Sequence, residues 1–382
     1  MKIIHAVGAR PNFMKVAPII DAFALYNSSA PPSKVVDQFL VHTGQHYDRA
    51  MSSLFFDQLG LPRPNIDLGV GSGPHGQQTG RIMEAFERVL IQERPDLLLV
   101  VGDVNSTIAC TLDAVKLGIP VAHVEAGLRS FDRTMPEEVN RVLTDAIADL
   151  LLTTEKAAGD NLTREGIDPS RVFFVGNVMI DSLLKHLPAA KAMPTLHQLG
   201  LANVIGGKGY ALATLHRPAN VDNPATLTEI CGALCAIGAK MPVVFPVHPR
   251  TRHTLSASGM DERLAKSGVL LLDPASYLDF LNLQSNARIV LTDSGGVQEE
   301  TTILGVPCLT LRPNTERPIT ISQGTNVLVP HISTASIVQA FDASITKPKT
   351  SLRTPELWDG GAASRVVDVI TTWLTAQPRV AS

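Results

Sequence analysis

Short runs of hydrophobic residues recur along the chain, and each ends at a polar residue or glycine before a stretch with helical spacing begins. In chain order the runs are KIIHAVG, FLVHTG, DLLLVVGD, VAHVE, LLLTT, VFFVG, YALATLH, PVVFPVH, VLLLD, RIVLTD, PCLTL and NVLV. Strands that are apolar on both faces and alternate with helices are typical of parallel sheets covered by helices on both sides. The pattern therefore predicts an α/β protein built from doubly wound parallel sheets.

The runs form two groups of six, which indicates two Rossmann-like domains in tandem. A segment rich in Ala, Pro and Gly, 187–209, follows the first group. We therefore place the boundary near 175–190 and predict domains over 1–178 and 179–360. Helices are predicted at 104–117, 136–149, 224–239, 296–304 and 361–376. The last of these follows every strand and is free to cover either domain. Ligands of doubly wound sheets bind at the carboxyl ends of strands, so we expect a ligand in a cleft between the two domains.

Composition narrows the functional classes. A length of 382 residues fits two domains, and 45% hydrophobic with 18% charged residues fits well-packed layers rather than disorder. A formal net charge of −3 provides no general attraction to nucleic acid or to anionic membranes. The N-terminus is too polar for a signal peptide and no run is long enough to span a membrane, so we expect a cytoplasmic protein. The four cysteines lie in apolar segments and are expected to be buried thiols rather than metal ligands.

The stretch LTDSGGVQEETTILGVP, 291–307, joins a predicted strand to a predicted helix through glycines. Gly295 and Gly296 allow close approach of a ligand to the backbone, and the first N–H groups of the helix favour an anion. Ser294 adds a hydroxyl donor. A carboxylate one turn later, Glu299 or Glu300, cannot bind phosphate but can accept hydrogen bonds from ribose hydroxyls. The stretch is thus interpreted as a nucleotide site, with a simple capped turn as the alternative.

Basic residues follow several other predicted strands. Arg10 and Lys15 lie at the turn after the first strand, where a guanidinium and an ammonium suit a pyrophosphate. The alternative for Lys15 is a solvent-facing lysine. Arg317 follows a strand of the second half, and His216 and His248 end two others, each with an arginine close behind. A single histidine at a strand end is usually structural, whereas two beside arginines favour a ligand site.

The stretch 71–76, GSGPHG, has the G-x-G-x-x-G spacing of dinucleotide sites. No strong strand precedes it, and Pro74 interrupts the turn that would have to present N–H groups. Without the strand–turn–helix context the motif is weak, so bound NAD is not expected.

Three carboxylates in the first half are candidates for proton transfer. Asp103 and Glu125 stand at the ends of successive strands, and Glu137 opens a predicted helix after Pro136. Asp103 could instead be a helix cap, and Glu137 could simply complement a helix dipole. Glu125 has no such alternative, because no helix follows it. Several carboxylates together with a histidine indicate proton transfers at a sugar ring carried by the nucleotide.

Several longer motifs carry a resemblance to a known family. They are GARPNFMKVAP, TGQHYD, VGDVNST, HVEAGLRSFDRTMPEEVNR, VGNVMID, LHRPANVD, PVHPRTR and TDSGGVQEETTILGVPCLTLRPNTERP. In this order, from residue 1 to about 330, they resemble the bacterial non-hydrolysing UDP-N-acetylglucosamine 2-epimerases. The resemblance implies the GT-B architecture, in which two Rossmann-like domains enclose a cleft and the last helix, here 361–382, completes the first domain.

The resemblance also implies the chemistry. Members of the family interconvert UDP-GlcNAc and UDP-ManNAc without metal or NAD, by eliminating UDP to a 2-acetamidoglucal and adding it back. The matching catalytic positions are Asp103, Glu125, Glu137 and His216. The matching UDP-binding positions are Arg10, Lys15, Arg141, His248, Ser294, Gly295, Gly296, Glu300 and Arg317. A homodimer with no nucleic-acid or membrane partner is implied as well.

Some features depart from the family pattern or leave alternatives open. The first turn has Ala9 and Asn12 where Thr and Glu are common. The stretches 45–49 and 69–81 differ from the pattern of members that UDP-GlcNAc activates at a second site, so such activation is not expected. Three enzymatic alternatives stay open: a hydrolysing 2-epimerase, a 2-epimerase of a UDP-2,3-diacetamido-uronic acid, which shares these motifs, and a GT-B glycosyltransferase, which the three carboxylates disfavour. A nucleotide-sugar sensor without turnover is the non-enzymatic alternative.

Overall fold

The computed structural model describes residues 1–44, 60–207, 209–346 and 354–376. The stretch 45–49, compared above with an activator site, lies outside these residues, as do 377–382 of the last predicted helix. The chain divides into two compact units, one formed by 1–184 with 356–382 and the other by 185–355.

Within the described residues, the first unit contains a seven-stranded sheet in which every pairing is parallel. Its strands are β1 Lys2–Val7, β2 Asp37–His42, β3 Ile66–Asp67, β4 Leu97–Val101, β5 Val121–Ala126, β6 Leu150–Thr153 and β7 Val172–Phe174. Their spatial order is β3-β2-β1-β4-β5-β6-β7. The order reverses between β1 and β4, so this unit has its topological switch point there.

The helices of the first unit fill the connections between these strands. They are α1 Arg10–Ser29, α2 His75–Glu93, α3 Asn105–Lys116, α4 Pro136–Ile147 and α5 Lys156–Arg164, with short 3-10 turns at Pro32–Lys34 and Pro169–Arg171. Helix α6, Val178–Ala192, runs through the division at 184/185. β1, β4, β5 and β6 are nearly all buried, which explains why they appear in the sequence as continuous apolar runs.

The second unit has a six-stranded sheet among the described residues, again with parallel pairings. Its strands are β8 Ala211–Thr214, β9 Val243–Pro246, β10 Val269–Leu272, β11 Ile289–Thr292, β12 Cys308–Thr310 and β13 Asn326–Leu328. The order β10-β9-β8-β11-β12-β13 places the switch point between β8 and β11.

The second unit also has ten helices among its described residues. They are α7 Thr195–Gln198, α8 Ala202–Ile205, α9 Pro218–Val221, α10 Pro224–Gly238, α11 Pro249–Ala257, α12 Met260–Ala265, α13 Tyr277–Asn286, α14 Gly295–Leu304, α15 Ile319–Ser322 and α16 Thr334–Thr346. The predicted fold class, two parallel-sheet α/β units, is confirmed. All twelve predicted strands are present, and β3 is an additional two-residue strand.

The final helix, α17 Ala362–Ala376, belongs to the first unit. It packs against α1. The carboxylate of Asp181 accepts hydrogen bonds from the N–H groups of Ala362 (3.2 Å) and Ala363 (2.7 Å), and so caps the helix from α6. The buried indole of Trp358 donates to the carbonyl oxygen of Thr154 at 3.0 Å. These contacts explain why a helix that follows every strand returns to the first sheet.

The structure bears on the glycine-rich stretch 71–76 and on the length of the apolar helices. Pro74 is the residue that precedes α2, and the strand before it, β3, has only two residues. The stretch 71–76 therefore lacks the strand that a dinucleotide fingerprint requires. Across the described ranges, no helix is both long and apolar enough to cross a membrane.

Candidate active site

The turn after β1 is organised by Asn12, which is buried in the first turn of α1. Its side-chain oxygen accepts hydrogen bonds from the N–H groups of Gly8 (3.1 Å) and Ala9 (2.9 Å). Its amide group donates to the carbonyl oxygen of Val101 at 3.0 Å. Asn12 thus ties the end of β1 to the end of β4 at the switch point. Sequence reasoning noted Asn12 only as a departure from the family, although its position three residues into the helix is typical of a reciprocal cap.

Lys15 lies on the next turn of α1, and its side chain is only 8% exposed. It forms an ion pair with Glu125, whose side chain is 6% exposed. The solvent-facing alternative for Lys15 is therefore wrong. A Cβ atom at Gly102 (φ +70°) would lie 2.9 Å from Lys15 Nζ, so a glycine at this turn leaves room for the ammonium group. The structure brings Lys15 and Glu125 together at the carboxyl ends of β4 and β5.

Glu125 has a backbone conformation that is rare for a residue with a side chain. Its φ angle is +74°, and the pairing of β5 with β6 shifts register between Val124 and Ala126. A bulge of this kind redirects one side chain of a strand, and a left-handed non-glycine residue costs on the order of 1–3 kcal/mol. The fold maintains this strained conformation at a predicted catalytic position.

Asp103 follows β4 and forms an ion pair with Arg141. Val104, not Asp103, is the residue that precedes α3, so the helix-cap alternative for Asp103 is wrong. Arg141 is buried on α4 and also pairs with Glu138. Arg141 was expected to bind UDP, and the structure places it between these two carboxylates.

Glu138, which sequence reasoning did not select, anchors the loop before α4. Its carboxylate accepts hydrogen bonds from the N–H (2.9 Å) and hydroxyl (2.8 Å) of Ser130 and from the N–H of Phe131 (2.9 Å). Its neighbour Glu137 is half-buried, and the Glu137 side chain makes no hydrogen bond or ion pair within the described part of the chain. Glu137 is thus the one of the pair that remains available to a ligand. Arg10 begins α1, but its side chain lies outside what the structure describes.

Asp293 occupies the switch point of the second unit, directly after β11, and is fully buried. It accepts hydrogen bonds from the backbone N–H groups of His216 (3.2 Å to each oxygen) and Arg217 (3.0 Å) and from the amide of Asn220 (3.1 Å). Its oxygen also lies 3.0 Å from His216 Nδ1. Burial raises the pKa of Asp293, but His216, Arg217 and Asn220 together outweigh burial and hold the pKa below its ordinary value.

The contact with Asp293 fixes the orientation of the predicted catalytic histidine. A carboxylate that holds Nδ1 leaves Nε2 as the nitrogen that can exchange a proton with a ligand. The His216 side chain as a whole is 44% exposed. His248 lies nearby, with ring centroids 6.4 Å apart, and its Nδ1 accepts a hydrogen bond from the N–H of Arg250 at 3.3 Å, at the start of α11.

The glycine turn after Asp293 approaches Arg317 closely. A Cβ atom at Gly295 would lie 2.5 Å from Arg317 Nη1. Ser294 precedes α14 and its side chain does not cap the helix, which disfavours the simple capped-turn alternative. Gly296 is the second residue of α14. The turn therefore combines a helix N-terminus with a guanidinium, a combination suited to an anion.

Buried glutamates hold the arginines at this turn. Arg317 Nε lies 2.8 Å from Glu299, and Arg317 Nη1 pairs with Glu316. Glu316 also pairs with Arg312 at 2.7 Å and lies 3.7 Å from Arg217 Nη2. Sequence reasoning missed Glu316, although its position directly before Arg317 was a signal. One carboxylate thus fixes three guanidinium groups beside the turn.

Glu300, the predicted ribose ligand, is buried on α14. Burial, followed by the charge of Glu299, raises its pKa to about 7. The hydroxyl of Tyr277 donates to Glu300 Oε1 at 3.4 Å, and the ring of His186 meets Tyr277 edge-on at 5.8 Å. Glu300 can therefore exist in either protonation state near neutral pH.

The chain is similar to known proteins over most of its length. A family model described as UDP-N-acetylglucosamine 2-epimerase matches residues 31–371. The chain belongs to the UDP-N-acetylglucosamine 2-epimerase family. A UDP-N-acetylglucosamine 2-epimerase of Methanocaldococcus jannaschii is 41% identical over 374 residues, which are 97% of this chain and 99% of that protein. A UDP-2,3-diacetamido-2,3-dideoxy-D-glucuronate 2-epimerase of Pseudomonas aeruginosa is also 41% identical with the same coverage.

Solved structures of this family agree with the fold. The M. jannaschii UDP-GlcNAc 2-epimerase in complex with UDP-GlcNAc and UDP has a TM-score of 0.88 at 41% identity, covering 97% of this chain and all of the other. The Neisseria meningitidis UDP-GlcNAc 2-epimerase bound to UDP-GlcNAc has a TM-score of 0.86 at 30% identity and the same coverage. Membership of the UDP-N-acetylglucosamine 2-epimerase family, which the motifs indicated, is confirmed. Its bacterial attribution is not supported, because these relatives include archaeal as well as bacterial proteins.

Proposed function

We propose that this protein is a non-hydrolysing 2-epimerase that interconverts UDP-GlcNAc and UDP-ManNAc. UDP leaves C1 of the sugar as a proton leaves C2, which gives a 2-acetamidoglucal. UDP then returns to C1 while a proton is added to C2 from the opposite face. The observation that carries the proposal is that each switch point of a chain belonging to this family holds buried, ion-paired groups of the required kinds.

In this proposal the second unit binds UDP. The pyrophosphate takes the N-terminus of α14, with Ser294, Gly295, Gly296 and Arg317 as donors, and His248 assists. The departing oxygen of UDP gains negative charge as the C1–O bond breaks. N–H groups and a guanidinium already held in place stabilise that charge without reorganisation. Glu300 in its carboxylate form accepts hydrogen bonds from the ribose.

The proposed proton transfers use the carboxylates of the first unit and His216. Glu125 and Asp103, as ion-paired carboxylates, can accept a proton. Glu137, with no ion pair among the described residues, is the proposed partner on the other face of the ring. His216, oriented by Asp293, can donate to or accept from the leaving oxygen. Arg10, Lys15 and Arg141 are assigned to the anionic ligand and to the carboxylates that they hold.

A second substrate class has a specific observation in its favour. The P. aeruginosa relative named for UDP-2,3-diacetamido-2,3-dideoxy-D-glucuronate is as similar to this chain as the M. jannaschii protein named for UDP-GlcNAc. Both substrates carry UDP, so contacts to UDP do not distinguish them. Only contacts to the sugar can select one of the two. The chemistry at C1 and C2 is the same in each case.

Proton NMR of each UDP-sugar in heavy water tests the proposal. We expect the 2-epimer to form with deuterium at C2, and expect Asp103→Asn and Glu125→Gln to lower the rate by 10²-fold or more while UDP still binds. Glu84→Gln, at a side chain that is 72% exposed on α2, is the matched control and should keep full activity. Release of free sugar and UDP would instead identify a hydrolysing enzyme. Unchanged rates in both variants would refute the assigned roles.

A further inference from the structure

His123 lies within β5 and is completely buried, yet both of its ring nitrogens contact hydrogen-bond acceptors. Nε2 lies 2.8 Å from the carbonyl oxygen of Gly102, and Nδ1 lies 2.6 Å from Asp145 Oδ1. A backbone carbonyl oxygen can only accept a hydrogen bond, so Nε2 must carry a proton. The protonation of Nδ1 then depends on Asp145.

Asp145, on α4, is fully buried and its second oxygen is also occupied. That oxygen accepts a hydrogen bond from the N–H of Gly127 at 3.0 Å and lies 2.7 Å from Arg129 Nη1. Burial raises the pKa of Asp145, but His123, Arg129 and the N–H of Gly127 outweigh it and hold the pKa below its ordinary value. His123 and Asp145 thus form a buried hydrogen-bonded pair, with the ring against Oδ1 and with the N–H of Gly127 and the guanidinium of Arg129 against Oδ2.

The pair touches the backbone beside both candidate carboxylates. Gly102, whose carbonyl oxygen meets the ring, directly precedes Asp103. Gly127, whose N–H meets Asp145, follows Glu125 by two residues. Those two turns end β4 and β5, and the pair connects them: His123 contacts the Gly102 carbonyl oxygen, and Asp145 accepts from the Gly127 N–H.

We propose that His123 and Asp145 are positioning residues, a buried hydrogen-bonded pair that sets the placement of the Asp103 and Glu125 carboxylates. This inference rests on the proposed function, because the two carboxylates are assigned there to proton transfer. A displacement of about 1 Å in a reacting group can lower a rate about 10²-fold. The pair therefore affects turnover without touching the substrate.

The test separates positioning from general stability by comparing two buried histidines of one sheet. His123→Gln keeps an amide nitrogen near the Nε2 position, and His123→Asn keeps one near Nδ1, so each replaces one of the two ring contacts. His5→Gln is the matched control, because His5 is equally buried on β1 but contacts Gln38 (3.1 Å) and neither turn. We expect kcat to fall about 10²-fold in both His123 variants, with UDP affinity within twofold of the wild type. His5→Gln should retain kcat within twofold of the wild type, even where its unfolding temperature falls as much as that of the His123 variants.

Nitrogen-15 NMR of the histidine rings gives a readout that needs no substrate. We expect one ring whose Nε2 carries a proton donated to a carbonyl oxygen, and we expect its signals to be missing in His123→Gln and changed in Asp145→Asn. A ring at His123 without a proton on Nε2 would overturn the proposal, and so would full kcat in both His123 variants that fold. A wild type that turns over neither UDP-sugar would refute the proposed function instead. The ring spectrum alone would then test the contact between His123 and Asp145.

Discussion

Replacing Glu300 by glutamine should make the stability of the protein less dependent on pH. Burial and then the neighbouring charge of Glu299 raise the pKa of Glu300 from 4.5 to about 7. The folded state therefore binds this proton more tightly than the unfolded state. The stabilisation that this bound proton gives the folded state is complete below pH 4.5 and is lost as the pH rises through about 7.

The pKa shift limits the size of this effect. A group that is protonated in the folded state and ionised in the unfolded state lowers the free energy of unfolding by at most about 1.4 kcal/mol per pH unit. Across this window the total loss is about 3 kcal/mol for the wild type. Glutamine has nearly the same shape, keeps an oxygen that can accept from the Tyr277 hydroxyl, and does not ionise. Glu300→Gln should therefore match the wild type at pH 5 and exceed its stability at pH 8.

Urea unfolding followed by far-ultraviolet circular dichroism at pH 5, 6, 7 and 8 measures this difference. Both tryptophans, Trp358 and Trp373, belong to the first unit, so their fluorescence shows whether that unit unfolds separately. Glu262→Gln is the control, since its side chain is 80% exposed on α12 and its loss should leave the pH dependence unchanged. A stability difference between Glu300→Gln and the wild type that stays constant from pH 5 to pH 8 would contradict the reasoning.

Two substitutions test packing contacts. Gly295→Ala places a Cβ atom 2.5 Å from Arg317 Nη1, so the guanidinium must move, and isothermal titration should show at least a tenfold loss of UDP affinity; an unchanged Kd would show that the turn tolerates a methyl group. Asp181→Ala removes the cap of α17 and should lower the free energy of unfolding by about 2 kcal/mol in urea titrations. Asp168→Ala, which removes an exposed cap from a three-residue turn, should cost less, and equal losses would contradict the assignment.

The strands were predictable because burial on both faces leaves a continuous apolar run for each of them. The predicted helix at 104–117 agrees with α3, Asn105–Lys116, and the one at 224–239 agrees with α10, Pro224–Gly238. The strand β3, Ile66–Asp67, could not be predicted, since two residues carry no periodic signal.

The residue types of the candidate site were predictable, but the ion pairs that these residues form were not. Acids, histidines and glycines that follow apolar runs had to lie at strand ends, and the structure places Asp103 and Glu125 there. Their ion pairs depend on loop conformations that a single sequence does not reveal. Arg141 was expected to bind UDP, and its ion pairs with Asp103 and Glu138 were not foreseen. The contacts of Glu316 with three arginines depend on loop conformation in the same way.

The return of α17 to the first unit affects how the protein is made. All strands of the first sheet have been synthesised by residue 174, but the helix that packs on α1 begins only at Ala362. At 5–20 residues per second, translation of the intervening chain takes roughly 10 to 40 seconds. During that time the surface of α1 that α17 later covers is exposed on the ribosome, where a chaperone can bind it. The second unit, whose residues are contiguous, can therefore complete its folding before the first.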